Sequence, residues 1–271
     1  MVRSKIFYGF FFLLSFLSAC ESGDKQVKPQ FKSDPNSIES IKKEIRANPD
    51  SLMLKENLIE AYRNAGYYDS AISIANAEIK KDSGSAYLWN IEASLYFENN
   101  DTANAIRCLK SAIDIYPLPD YLVALGTVYA EIKNEKALRI ANELLLSNKT
   151  KYGKDAYFIR GLFYNYVNQP AKAIQNLDSC LDLDFTYMYA YREKAIALYS
   201  QSKYEDAIRV LKRSVTLQNN FDEGYYWLGR CYEKLHKKDE AIESYQNALL
   251  YDKNYIEARE ALDSLRGKGK E

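Results

Sequence analysis

Histidine occurs once in this chain, at His236, and cysteine only four times, at Cys20, Cys108, Cys180 and Cys231. Protein zinc sites draw their Cys and His ligands from closely spaced clusters, and none is present here. No glycine-rich loop of the phosphate-cradling kind and no nucleophile elbow appears. A single histidine in a polar turn reads as a surface residue and not as a catalytic base. An excess of one charge is also lacking: 37 Lys and Arg balance 37 Asp and Glu. A nucleic-acid-binding surface calls for a clustered basic face, so that class is set aside. The apolar run ending at Ala19 falls short of the about 20 residues needed to cross a bilayer as a helix. Carboxylates are plentiful, but solvated acids are ordinary on helical surfaces. The sequence therefore offers no catalytic constellation, no metal site and no cofactor site, and is expected not to be an enzyme.

The N-terminus does carry information. Arg3 and Lys5 precede the apolar run, and no acid occurs before Glu21. A positive start, an apolar middle and small residues before a break mark a secretory signal peptide, here residues 1–19. Leu17-Ser18-Ala19-Cys20 resembles the bacterial lipoprotein lipobox. That resemblance implies cleavage before Cys20 and a lipid-modified Cys20 as the new N-terminus. One acyl chain holds weakly and two or more hold stably. The alternatives are a plain secretory signal with an incidental cysteine, or an uncleaved anchor helix. Glu21, in place of an aspartate, leans toward the outer membrane of a bacterial envelope, with the side it faces left open. Residues 20–36 mix charge, Pro, Gly and Ser without periodicity and read as a flexible tether. Without the signal, 35 basic residues face 37 acids.

Tyrosine is abundant, with 24 copies beside 11 Phe and 2 Trp, and its spacing points to internal repeats. Residues 224–255 contain Tyr225, Leu228, Gly229, Tyr232, Ala241, Tyr245 and Ala248. Stepping back about 34 residues at a time finds comparable sets. They are Tyr191, Ala195, Leu198, Ala207, Leu211 and Ser214; then Tyr157, Gly161, Tyr164, Ala173, Leu177 and Cys180; then Leu122, Leu125, Gly126, Tyr129, Ala137, Ala141 and Leu144. Trp89, Ala93, Tyr96, Ala105, Leu109 and Ala112 come before these, and Leu58, Tyr62, Gly66, Ala71 and Ala75 come first. The pattern resembles the tetratricopeptide repeat (TPR), with Tyr in place of its Trp and Phe. Units begin near residues 52, 86, 119, 154, 188 and 222, giving 52–85, 86–118, 119–153, 154–187, 188–221 and 222–255.

The resemblance implies an all-α, right-handed TPR superhelix (α-solenoid) over residues 37–266, with about 14 helices. A helix over 37–47 opens the array, a cap helix over 256–266 closes it, and residues 267–271 form a frayed tail. Each unit is two antiparallel helices, A and B, which cannot bury their apolar stripes without neighbours. The third unit departs from the pattern. Its turn at Lys133-Asn134-Glu135 is short, and a long link, LSNKTKYG, precedes the fourth unit, so a local irregularity is expected there. Cys108, Cys180 and Cys231 fall on different units, beyond the about 5.5 Å Cα separation of a disulfide, and read as small buried thiols.

In TPR proteins, positions 2, 5, 9, 12 and 13 of each A helix usually face the concave side. Carried over, these positions imply a partner-binding groove of Tyr87, Asn90, Phe97, Phe158, Asn165, Tyr166, Tyr189, Arg192, Tyr199, Tyr226 and Arg230. Such residue types are enriched at binding hot spots, although some can serve only to pack adjacent repeats. The Lys/Asn order that holds a peptide's C-terminal carboxylate in some TPR proteins is absent. The expected function is that of a non-catalytic, lipid-tethered scaffold for a protein or peptide partner, similar to TPR lipoproteins that assist envelope assembly. The alternative is a lipoprotein that binds glycan, peptidoglycan or a small ligand, or a regulatory subunit of a cell-wall enzyme.

Overall fold

Six polar turns set the architecture, and each closes in the same way. At Gly66, Asn100, Lys133, Asn168, Ser202 and His236 the backbone enters the left-handed region, with φ between 57° and 77°. Around each, two backbone hydrogen bonds cap the preceding helix. In the last turn, for example, His236 N donates to Glu233 O at 3.0 Å and Lys237 N to Tyr232 O at 2.9 Å. This is the Schellman motif, which satisfies carbonyls that the helix end leaves free. The chain then enters the next helix at once. Only Gly66 among the six is the residue type that adopts positive φ without steric cost.

The computed structural model describes residues 35–267. Among them are thirteen helices and no strand: α1 (Pro35–Ala47), α2 (Leu52–Asn64), α3 (Tyr68–Lys81), α4 (Ala86–Glu98), α5 (Thr102–Ile115), α6 (Pro119–Glu131), α7 (Lys136–Tyr166), α8 (Pro170–Leu183), α9 (Met188–Ser200), α10 (Tyr204–Leu217), α11 (Asp222–Lys234), α12 (Lys238–Tyr251) and α13 (Ile256–Leu265). The opening helix starts two residues earlier than its sequence pattern indicates, because Pro35 suits a first helical turn. The signal, Cys20, the tether up to residue 34 and the tail from residue 268 lie outside the described residues, and the last two residues expected in the tether, Pro35 and Asn36, belong to α1. Two compact units divide the chain, one ending at Tyr121 and one beginning at Leu122. Ser51, Ser85 and Asp101 cap α2, α4 and α5 by accepting from backbone N–H groups.

Within each unit the recurring small residues are the packing contacts. Ala71, Ala105, Ala137, Ala173, Ala207 and Ala241, one on each B helix, have no exposed surface. Leu177, Leu211 and Tyr245 are likewise completely buried. Burying each leucine is worth about 2 kcal/mol. Gly161 faces Leu177 and Gly229 faces Tyr245, each so closely that an added Cβ would come within 2.6 Å of the opposing side chain. At these two contacts the bulky B-helix residue lies against bare backbone of its A helix. Gly126 instead lies against Ile140 and Ile159, since the short turn at Lys133 shifts the register of its unit.

The expected irregularity takes an unexpected form. LSNKTKYG is helical on both sides of Asn148, and the 31 residues of α7 are two helices that meet at a kink there, with Asn148 extended (φ −164°, ψ 97°). The Asn148 side chain accepts from Lys151 N at 3.0 Å, so this residue ends one helical segment and caps the next. Counted as two segments, α7 brings the total to the fourteen implied by the repeat pattern.

Candidate partner-binding face

In the N-terminal unit the expected groove residues lie on α4. Tyr87 and Phe97 are half-buried. Burial, with Glu56 nearby, pushes the Tyr87 hydroxyl up to about 12. Asn90 is only 3% exposed, and its Nδ2 has no hydrogen-bond partner among the described residues.

In the C-terminal unit Asn165, Tyr166, Tyr189, Tyr199 and Arg230 are half-buried, whereas Phe158, Arg192 and Tyr226 are buried. Asn90, Phe158, Arg192 and Tyr226 therefore depart from the groove expectation, and for a shared reason. Each is the fifth residue of its unit, a position turned inward at every A helix where it was singled out. Phe158 packs its ring 5.1 Å from that of Tyr187. Tyr226 lies 5.0 Å from the Tyr255 ring and 5.8 Å from that of Tyr245. These side chains shape the wall without offering surface.

Arg192 is the most committed of them. It is 1% exposed, with Nη1 2.5 Å from Glu223 Oε2 and Nε 3.1 Å from Glu193 Oε1. Asn165 Nδ2 extends the network, donating to Glu193 O at 2.9 Å and Oε2 at 3.0 Å. Burial raises the Glu223 carboxyl above the usual range, and Arg192 opposes that rise. The Tyr189 ring covers the guanidinium at 5.1 Å. A buried guanidinium needs such compensation, since its desolvation is costly.

Arg230 is the counterpart that remains presented. Its carbon Cζ lies 5.9 Å from the Tyr199 ring, 5.8 Å from that of Tyr226 and 5.9 Å from that of Trp227. Nη1 donates to the Tyr226 hydroxyl at 2.9 Å. Trp227 also meets Tyr199 edge-on at 5.6 Å, and Tyr199 meets Tyr204 at 5.2 Å. The result is an aromatic surface with one cation set into it.

Sequence reasoning missed Trp227, Tyr204, Glu193 and Glu223. Glu223 occupies a position that normally faces the groove, and its charge opposite Arg192 was a signal that could have been used. Trp227 lies outside those positions, and only its rarity marked it. Cys108, Cys180 and Cys231 are buried free thiols. Burial pushes Cys108 and Cys231 each up to about 12 and raises Cys180 further. Glu92, fully buried, accepts from Cys108 Sγ at 3.4 Å. Among the described residues no acidic, Cys or His cluster could hold a metal ion, and no helix is long and apolar enough to cross a membrane.

Comparison with known proteins agrees with this geometry. Models of the tetratricopeptide repeat match residues 222–255, 195–235 and 86–117. Tetratricopeptide repeat protein 1 of Schizosaccharomyces pombe is 33% identical over 64 residues, 22% of this chain and 6% of that protein. A TPR repeat-containing protein of Methanocaldococcus jannaschii is 29% identical over 128 residues, 47% of this chain and 37% of that one. The chain thus spans well under half the length of these two curated relatives. Among solved structures, a tetratricopeptide repeat protein from Parabacteroides merdae has a TM-score of 0.68 at 17% identity, covering 85% of this chain and 91% of its own. A thermophilic TPR protein of Thermus thermophilus gives 0.58 at 15% identity, covering 67% and 99%. The chain carries tetratricopeptide repeats and has the all-α TPR solenoid fold.

Proposed function

We propose, taking those repeats as the premise, that this protein is a non-catalytic scaffold that holds a protein or peptide partner on the A-helix face of its C-terminal unit. The observation that carries this reading is the half-buried aromatic surface of Tyr199 and Trp227 around Arg230, with half-buried Tyr189 on the same A helix as Tyr199. Tyr and Trp bury large apolar areas at little rotamer cost while keeping a polar group for pairing. Arg beside them completes the residue set enriched at hot spots. The lipobox-like Leu17-Ser18-Ala19-Cys20 supports a second element of the proposal, attachment to a bacterial envelope membrane through lipid on Cys20. Glu21 favours the outer membrane for that anchor. The tethered scaffold then serves the assembly of an envelope complex.

Both elements are testable. Photocrosslinking from positions 189 and 199 in cells, followed by mass spectrometry, should yield a discrete partner, and a Tyr189→Ala/Tyr199→Ala variant should lose it in pull-down. Equal recovery from wild type and variant removes this face from the account. A thermal shift with cell-wall fragments, with no protein captured, favours the ligand-binding alternative, since a ligand selective for the folded state raises its stability. Metabolic labelling with a palmitate analogue should mark the wild type and not Cys20→Ala. Label on Cys20→Ala refutes the anchor.

A further inference from the structure

We propose that Arg230 recognises an acidic side chain, an aspartate or glutamate within a bound peptide. The inference rests on the face described above being the docking surface, and it names the chemistry that surface selects. The C-terminal unit places two of the expected groove arginines in opposite states. Arg192 is sealed in and neutralised by Glu223 and Glu193. The Arg230 side chain keeps 36% of its surface exposed. Its one hydrogen bond among the described residues goes to a neutral hydroxyl, that of Tyr226. Glu233 Oε2 is 3.8 Å from Nε, outside hydrogen-bond reach, and already accepts from the Tyr245 hydroxyl.

A guanidinium has five N–H donors, so most of those on Arg230 are uncommitted. The rings of Tyr199, Tyr226 and Trp227 hold its plane without consuming them. Cation–π contact does not itself neutralise the charge, and the Glu233 ion pair at 3.8 Å is looser than the contacts that hold Arg192. A carboxylate arriving here forms charge-assisted hydrogen bonds to a cation that is already partly desolvated and oriented. The surrounding charge limits the ligand to one negative charge. Glu233 remains close, with 31% of its side chain exposed, and repels a dianion. A phosphorylated residue is therefore disfavoured against Asp or Glu. The exposed parts of Tyr199 and Trp227 suit an apolar residue beside the acid.

The test is selection of a phage-displayed random dodecamer library on the full chain, comparing wild type, Arg230→Gln and Tyr189→Ala/Tyr199→Ala, each checked by circular dichroism. Wild type should enrich peptides with Asp or Glu at a fixed place beside an apolar residue. Replacing that acid by its amide in the synthetic peptide should weaken binding about tenfold or more. The same replacement should change binding to Arg230→Gln by less than about twofold. Enriched peptides without a fixed acid overturn the proposal, as does an amide penalty equal in both proteins. Tighter binding when phosphoserine replaces the acid overturns it as well. If Arg230→Gln does not fold, Glu233→Gln serves: it should tighten the acidic peptide and leave its amide form unchanged, and no such difference counts against the proposal. Peptides that bind Tyr189→Ala/Tyr199→Ala as well as wild type, or no enrichment at all, remove the docking face itself. Enrichment without acid preference removes only the role of Arg230.

Discussion

Lys133 and His236 are exposed residues held at φ 59° and 57°, where an L side chain crowds its own backbone. The left-handed conformation costs a non-glycine residue about 1–2 kcal/mol. Replacement by glycine removes that cost but adds about 0.5–1 kcal/mol of unfolded-state entropy. The net expectation is a gain of about 0.5–1 kcal/mol at each site. The two turns are in different repeats, so a Lys133→Gly/His236→Gly variant should gain about 1–2 kcal/mol in all. Gly66 provides the reverse experiment. It lies at φ +77°, and a Cβ added there would meet nothing within 4 Å. Any loss in Gly66→Ala is thus a backbone effect, expected at about 1 kcal/mol. Repeat arrays can unfold in sections, so urea titration should be paired with hydrogen exchange. The amides of Asn134 and Lys237 donate the turn-closing bonds to Tyr129 O at 2.8 Å and Tyr232 O at 2.9 Å. Their protection should rise in the double variant. A double variant less stable than wild type, or a Gly66→Ala protein of unchanged stability, refutes the reasoning.

Other consequences are open to measurement. Gly229→Ala drives a Cβ to 2.6 Å from the completely buried Tyr245 ring and should cost about 1–3 kcal/mol, while Gly84→Ala, whose Cβ would meet only Asp82 Oδ1 at 3.5 Å, should be near neutral; thermal melts compare them. Glu223→Gln leaves Arg192 buried with weaker compensation and should cost about 3 kcal/mol, read by urea unfolding. The backbone and side-chain hydrogen bonds from Asn104 hold the Asp101 carboxyl below its usual range. A depressed carboxylate pKa adds stability above the unfolded-state value, and that contribution is lost as pH falls through the lower, folded-state value. The Asn104 amide proton should therefore titrate in NMR with a midpoint below that of a free aspartate, and Asp101→Asn should abolish the transition.

The helical pairs were legible because packing imposes a repeating demand for small residues. Ala105, Ala173, Ala207 and Ala241 recur at one position of successive B helices, each completely buried. The turns were less legible. Asn, Lys, Ser and His occupy five of the six left-handed positions in the turns between paired helices, so no glycine signal marks them; the two capping hydrogen bonds hold the conformation instead. The link before the fourth unit was hidden for a related reason: Asn148 caps a new helix inside what reads as a polar loop. On the binding face, residue type indicated aromatic and cationic chemistry but not exposure. Arg192 and Arg230 are equivalent by composition. Their difference depends on Glu223, 31 residues beyond Arg192, which reaches back from the next A helix.

The break in α7 at Asn148 has a mechanical implication. Elsewhere in the C-terminal unit a few residues of irregular chain separate one repeat from the next. Between the third and fourth repeats a single extended residue is the whole joint, and its side chain is pinned to Lys151 N. A joint that short can pivot but has almost no slack to release, so tension on one repeat reaches its neighbour without first straightening a loop.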